Sequence, residues 1–417
     1  MFETIRNAWK IKDLRNKILF TLGMLLVYRI AAAVRLPNIN FDATAAMSQG
    51  NNLFAMMDLF NGGTLKYFTL LATGITPYIT ASIIMQLLTM AIPALERLQK
   101  EGEEGRKKIT KITRYLGIGL ALFQSLAIMI TNRGILYNNA WYMVALIGII
   151  QAAGTAFAMW LGESISEKGI GNGISLLIFI NIISRLPVDM VTGVKSIIEG
   201  VMSPWIIPAV IIGVLIVIVS VVFVNIGERR IPIVYSKRIS GRKMYGGQST
   251  YIPMRVNSSG VLPLIFAMTF VNLPSMILPY FPEWGFTIFY NKHLGIGSIP
   301  YAVVMILLII AFAYFYSTIT FNPFEMAENL RKYGGKVRGI REGKPTAVYM
   351  QKISSRITLF AALFLAFLAV IPMAILATTG SSSPLQATSI LIMVSVAIET
   401  SKQIEAQLIS HNHRGFL

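Results

Sequence analysis

The chain has 417 residues, of which 54% are hydrophobic and only 13% charged, about half of the roughly 25% charged residues of a soluble domain, so lipid is the expected solvent for most of it. Lys and Arg outnumber Asp and Glu 37 to 19, for a net charge of +18; they sit between the hydrophobic runs and so read first as determinants of topology, not as a nucleic-acid surface. The absence of cysteine excludes disulfides, thiolate metal sites and cysteine nucleophiles without fixing a redox compartment.

Residues 1–17 form the first expected element, a cytoplasmic amphipathic helix with Phe2, Ile5 and Trp9 at helical spacing among Arg6, Lys10 and Lys12, suited to the headgroup plane. The first apolar run, 18–36, exceeds a usual signal-peptide core and has no small-residue cleavage site after it, so it is expected to stay in the mature chain. Residues 53–73 mix apolar side chains with Asp58, Asn61, Gly62, Gly63 and Lys66. Two readings stand there: a short re-entrant helix buried within protein, or an external amphipathic loop.

Further runs of spanning length are 75–92, 112–131, 141–161 and 170–186, then, after an external linker at 187–204, 205–225, 261–280, 301–321, 357–379 and 387–401. With the first run these make ten spans and place both ends, including a tail at 402–417, in the cytoplasm. Of the 37 Lys and Arg, only Arg29, Arg35, Lys66, Arg133, Arg185, Lys195 and Lys292 then fall outside the cytoplasmic segments, the bias that retains basic loops inside. Two cytoplasmic loops, 226–258 and 322–356, exceed what orientation requires. The first reads ERRIPIVYSKRISGRKMYGGQSTYIPMRV, a basic Gly-containing turn between β-formers that fits a protruding hairpin. Docking surface and plain topological charge both remain open for these loops.

Chemistry at membrane depth is sparse. Arg29 is the main ionisable residue within a span, with Glu399 near the end of the last; snorkelling or a bond to backbone oxygens accounts for Arg29, and without a buried carboxylate a proton-coupled carrier is disfavoured. His293, His411 and His413 lack metal-ligand spacing. No HExxH or GxSxG motif occurs, GIREGKPT from Gly339 lacks the spacing of a phosphate loop, and Gly169, Gly171 and Gly173 read as a close backbone approach at the start of a span. No catalytic residue, metal or cofactor is expected. Ile75 and Ile79, like Ile174 and Ile178, are four apart and share a helix face. They fit either an apolar collar that excludes ions and water or ordinary packing.

Several long motifs in fixed order, FNGGTLKYF before GITPYITASII, KEGEEGRKKITKITRY, MWLGE before KGIGNGIS, SKRISGRKMYGGQSTYIP, ITFNPFEMAENLRKYGG and GIREGKPT, resemble the SecY family, the central subunit of the bacterial protein-conducting channel. The resemblance runs from about Arg15 to the tail. It implies an all-α integral membrane protein of ten helices in two five-helix halves (18–186 and 205–401) related by an inverted pseudo-repeat, with residues 53–73 as a re-entrant plug in which Phe60, Asn61, Gly62 and Gly63 are the recognisable part. The family's pore ring falls on Ile75, Ile79, Ile174, Ile178, Ile265 and Ile392, stiff branched side chains suited to a gasket. A lateral gate releasing apolar segments into lipid would carry Thr80, Gln86, Thr269 and Asn272, residues that interhelical packing explains equally well. Arg229, Arg230, Arg242, Lys243, Lys336, Arg338, Arg341 and Lys344 would dock cytoplasmic partners.

The partners implied are the small membrane subunits SecE and SecG, the SecA ATPase, the ribosome with its rRNA, signal sequences and unfolded polypeptides, and membrane lipid; the location implied is the bacterial cytoplasmic membrane. Lys336, Arg338 and Glu342, and Gln386 with Ala387, depart from the family pattern. They leave an accessory paralogue of narrower clientele as the second reading. A small-solute transporter is the third.

Overall fold

The computed structural model describes residues 2–40, 44, 62–65, 67–131, 133–138, 140–198, 206–235, 238–240, 243–245, 249–258, 260–278, 284–295, 298–379 and 387–414. Each of the ten predicted runs falls on a helix. The expected N-terminal helix over 1–17 is broken at Ile11, whose extended backbone (φ −90°, ψ 117°) separates α1 (Phe2–Lys10) from α2 (Lys12–Ala33); Lys12 to Lys17 therefore already belong to the first span.

α3 (Thr76–Ala91) is capped by Ile75 and has Pro77 in its first turn, where a missing N–H costs no bond. It ends at Ile92, extended at φ −107° and ψ 112°, because the ring of Pro93 pushes the residue before it out of the helical region. α4 (Pro93–Lys100) then leaves at an angle of 100°. On its exposed face Lys100 lies 2.6 Å from Glu96 and holds that carboxyl below its ordinary range.

α5 (Glu103–Thr131), α6 (Trp141–Lys168) and α7 (Gly173–Ile198) follow. α7 runs through Pro187 to Ile198, so the expected linker over 187–204 is helical for most of its length: proline removes one N–H, and a helix that resumes leaves fewer backbone groups unpaired in an apolar setting than one that ends. α8 (Ile206–Ile226) leads into β1 (Glu228–Tyr235), β2 (Arg238–Ser240), β3 (Lys243–Tyr245) and β4 (Ser249–Arg255). α9 (Leu262–Ile277), α10 (Gly285–His293), α11 (Ile299–Thr320), α12 (Pro323–Lys332), β5 (Gly335–Val337), α13 (Lys344–Thr379) and α14 (Ala387–Arg414) complete the chain. α10 was not anticipated and places His293 at a helix end. The expected tail at 402–417 continues α14 as far as Arg414, with His411 and His413 on it.

By length and composition α2, α5, α6, α11 and α13 can each cross a bilayer, α3 and α4 pass together as a broken span, and α7, α8 and α9 carry shorter apolar stretches, all among the described residues. Packing divides the chain into two units, one of Met1–Ile206, Asn272–Ile296 and Val396–Leu417, the other of Ile207–Val271 and Gly297–Ser395. Residues 272–296 and 396–417, expected in the second half, are grouped with the first unit. Within the first unit α5 packs on α3 and α6, and α2 on α6 and α7. Leu36, Ile39, Phe68, Met129, Ile135, Leu136, Val144 and Ile147 form a buried cluster where α2 and α5 end and α6 begins. Within the second, α13 packs on α11 and α12.

Candidate functional site

The isoleucines of the first unit sit at two helix starts. The amide of Ile79 donates to the carbonyl of Ile75 at 3.1 Å, stacking the pair on consecutive turns. On α7 the side chain of Asn172 accepts from the amides of Ile174 and Ser175 at 3.1 and 3.3 Å, an N-cap that satisfies two orphan donors and sets where the helix begins. Ile75 and Ile178 are buried, Ile79 and Ile174 half-buried. The glycines before them act as the spacing suggests: a Cβ on Gly173 would stand 1.9 Å from the carbonyl oxygen of Gly162 on α6, and one on Gly169 would stand 2.5 Å from the Thr21 hydroxyl. That hydroxyl accepts from the amide of Ile170 at 3.0 Å. α6 and the start of α7 thus meet backbone to backbone, and α2 is tied to them through the Thr21 hydroxyl.

The segment before α3 is described from Gly62. Phe60 and Asn61 lie outside the described residues. Residues 62–65 and 67–74 run as consecutive turns and not as the re-entrant helix expected there, because Gly62, Gly63 and Phe68 take positive φ (68°, 85° and 43°), which a right-handed helix does not admit. The turns are nevertheless anchored: Leu36 donates to the carbonyl of Phe68 at 3.1 Å and Leu70 to that of Val34 at 2.8 Å. The hydroxyls of Thr73 and Thr155 are 2.8 Å apart, and Thr155 also donates to the carbonyl of Gly74 at 3.0 Å. Leu65, Phe68, Leu71 and Ala72 are buried, so this part of the segment packs against protein.

Gly62 supplies the closest link to the isoleucines. A Cβ on it would meet the carbonyl oxygen, Cα and Cβ of Asn181 at 2.9, 3.0 and 3.0 Å. Asn181 follows Ile174 by seven residues and Ile178 by three, and so shares their face of α7. Its side chain donates to the Tyr28 hydroxyl at 2.8 Å and accepts from Arg29 at 3.4 Å, which gives Arg29 a side-chain acceptor in place of backbone oxygens or the interface. Sequence reasoning passed over Asn181 and Tyr28; the signal present was a polar residue in register with the two isoleucines.

In the second unit Ile265 is half-buried on α9 and Ile392 buried on α14. Asn257, from the motif before α9, donates to Asn225 on α8, which donates to Ser395 on α14, both at 2.9 Å. Of the four gate residues, Thr80 donates its hydroxyl to Thr76 at 3.1 Å and Thr269 to Ile265 at 2.8 Å, each a bond within its own helix. Gln86 is half-buried on α3, and Asn272 lies on α9.

The two basic loops prove to be one body. β1 pairs antiparallel with β4 as the hairpin expected over 226–258, and β5 from the other loop adds to the free side of β1, Ile233 facing Val337. Pro232 is tolerated in this central strand because β5 pairs only with Ile233 to Tyr235. Ile231, Ile233, Met254, Leu330, Val337 and Met350 form their shared core. α12 is set by Asn322, whose side chain accepts from Phe324 and Glu325, and is closed by Gly334 at φ 69°. Arg229, Arg230, Lys336, Arg338, Arg341 and Lys344 are exposed on the body. The guanidinium of Arg230 lies 4.7 Å from the ring centre of Tyr251, and Lys336 pairs with Glu342 at 2.6 Å. Arg242 is outside the described residues, and Lys243 opens β3. Two of the departures noted in the sequence, Lys336 and Glu342, thus neutralise each other, and Arg338 and Arg341 are the exposed arginines of that turn.

The sequence model of the SecY family matches residues 69–401. A protein translocase subunit SecY of Mycobacterium bovis is 40% identical over 445 aligned residues that cover 100% of both chains. Among solved structures, one described as "The structure of a protein conducting channel" matches with a TM-score of 0.69 at 22% identity, covering 95% of this chain and 93% of its own. Sec61 in a canine ribosome-channel complex from the endoplasmic reticulum matches with a TM-score of 0.65 at 21% identity, with 95% and 93% covered. At those identities the structural likeness establishes the fold.

Proposed function

This chain belongs to the SecY family and is a multi-span, protein-conducting channel subunit, and from that premise we propose how its residues divide the work. Unfolded secretory polypeptide crosses within the collar of Ile75, Ile79, Ile174, Ile178, Ile265 and Ile392; the segment ending in Gly62 and Gly63 closes the empty path; apolar segments leave sideways past Thr80, Gln86, Thr269 and Asn272. The observation that carries this reading is the contact of Gly62 with Asn181, on the same face of α7 as Ile174 and Ile178: a segment returning into the protein rests beside the residues it would have to plug. Apolar branched side chains there exclude water and ions by dewetting and offer a passing chain nothing to bind.

The basic body of β1, β4, β5 and α12 is the docking surface for the ribosome, rRNA included, and for the SecA ATPase. The canine relative, solved in a ribosome-channel complex, supports the first of these, and the exposed arginines, able to hold phosphate or carboxylate bidentately, suit both. SecE and SecG are the expected small subunits. The bacterial relative and the bias of Lys and Arg toward one side support the cytoplasmic membrane, with both termini and the basic body in the cytoplasm.

The absence of cysteine permits a direct test. Ile178→Cys, as the only thiol, is expected to form a disulfide with a cysteine in a secretory precursor arrested during export, whereas Ile216→Cys, exposed on α8, is expected not to. Export that proceeds with neither position linking would remove Ile178 from the path.

A further inference from the structure

We propose that Asn181 is the seat on which the re-entrant segment rests when the channel is closed, a positioning residue whose backbone is held in place by Tyr28 and Arg29 of α2. The inference rests on the closure reading above and adds to it the residues that set closure.

Asn181 is 1% exposed and Tyr28 is fully buried, so a polar pair has been placed where apolar side chains would cost nothing to bury. Their groups are engaged. The amide nitrogen of Asn181 donates to the Tyr28 hydroxyl at 2.8 Å, and its oxygen accepts from Arg29 at 3.4 Å. The carbonyl oxygen of Asn181, the atom nearest the position a Gly62 Cβ would take, accepts in turn from the Ser184 hydroxyl at 2.8 Å. The surface offered to Gly62 is therefore fixed from two sides, by α2 through the side chain and by the next turn of α7 through the carbonyl. Gly62 matches it with a positive φ and no side chain, and any Cβ would push the segment off. Because the clamp joins α2 to α7, a shift between these two helices loosens the seat. Closure is thereby coupled to the packing of the first span.

The test compares the full chain with Asn181→Ala, Tyr28→Phe and the double variant, each reconstituted in planar bilayers. Ion conductance is read with the channel empty and again with a secretory precursor arrested in it. Loss of the clamp shifts the seated population by the worth of a buried hydrogen bond, so the empty-channel conductance of Asn181→Ala is expected to rise about tenfold. Tyr28→Phe, which keeps the ring and removes only the hydroxyl, is expected to rise less, and the double variant no further than Asn181→Ala, since both act through one contact. Conductance of the occupied channel is expected to stay unchanged, because the segment has then left its seat; a general loosening of packing would raise it as well. Unchanged empty-channel conductance in Asn181→Ala, or an equal rise in both states, overturns the proposal. A wild-type chain that shows no precursor-dependent conductance overturns the channel path itself, and the seat with it.

Discussion

Gly173→Val is expected to abolish accumulation of the folded protein, the largest effect of any single substitution considered for this chain. A Cβ at Gly173 would lie 1.9 Å from the carbonyl oxygen of Gly162, 2.8 Å from its carbon and 2.9 Å from the Cβ of Ile165. Overpacking that side chains can absorb costs about 1–3 kcal/mol, but two of these atoms are backbone and have no rotamer to change. The start of α7 would have to move away from α6. That movement breaks the Asn172 cap, displaces Ile174 and Ile178 and opens the contact of Ile170 with Thr21. Such a loss removes most of a typical folding margin of about 5–15 kcal/mol. Gly213→Ala is the control, since nothing lies within 4 Å of a Cβ there and alanine is the better helix former. Membrane-fraction abundance at matched synthesis, with thermal melting of the solubilised protein, reads both. Wild-type abundance and melting for Gly173→Val would show that α6 and α7 do not cross as closely as described.

The ten apolar runs were legible because each is a composition signal longer than any soluble strand, and the hairpin over 226–258 because β-formers flank a basic turn. What escaped the sequence depends on geometry that composition does not carry. Ile92 and Pro93 turn the chain by 100° at a place that reads as an ordinary span end. Pro187 reads as a stop, yet α7 passes through it, because in an apolar setting the alternative is unpaired backbone. Residues 62–65 and 67–74 have the apolar content of a helix, but the positive φ of Gly62, Gly63 and Phe68 makes them turns. The joining of the two basic loops was hidden for a different reason. The pairing of Ile233 with Val337 is non-local, and β5 is only three residues long, below what alternation can announce. In the candidate site, register alone singles out the four isoleucines of the first unit, whereas Asn181 and Tyr28 became visible only through the contact with Gly62.

Since both loops share one core, Ile233→Asp is expected to disable partner-driven export while leaving the resting seal intact. Ile233 is 1% exposed and sits on the central strand, with Thr250 of β4 on one side and Val337 of β5 on the other. An unpaired carboxylate there costs several kcal/mol, more than a three-residue strand such as β5 contributes by pairing. β5 should detach first, taking with it the turn that carries Arg338 and Arg341. Arg229 and Arg230, on β1 itself, lose their fixed spacing as that strand loosens. Partner-dependent export, measured as precursor protected inside vesicles, is then expected to fall by at least about tenfold, the effect of losing roughly 1.4 kcal/mol of docking energy. Under the closure proposed above, the empty-channel conductance is set by α2, α3 and α7, and it is therefore expected to match wild type. Ile233→Val, which removes one methylene at about 0.5–1.5 kcal/mol, should keep most of the activity, and Arg341→Glu should weaken partner binding with no change in melting. Wild-type partner binding and export in Ile233→Asp would mean that docking does not require the joined sheet, and that the two loops act separately even though they pack together.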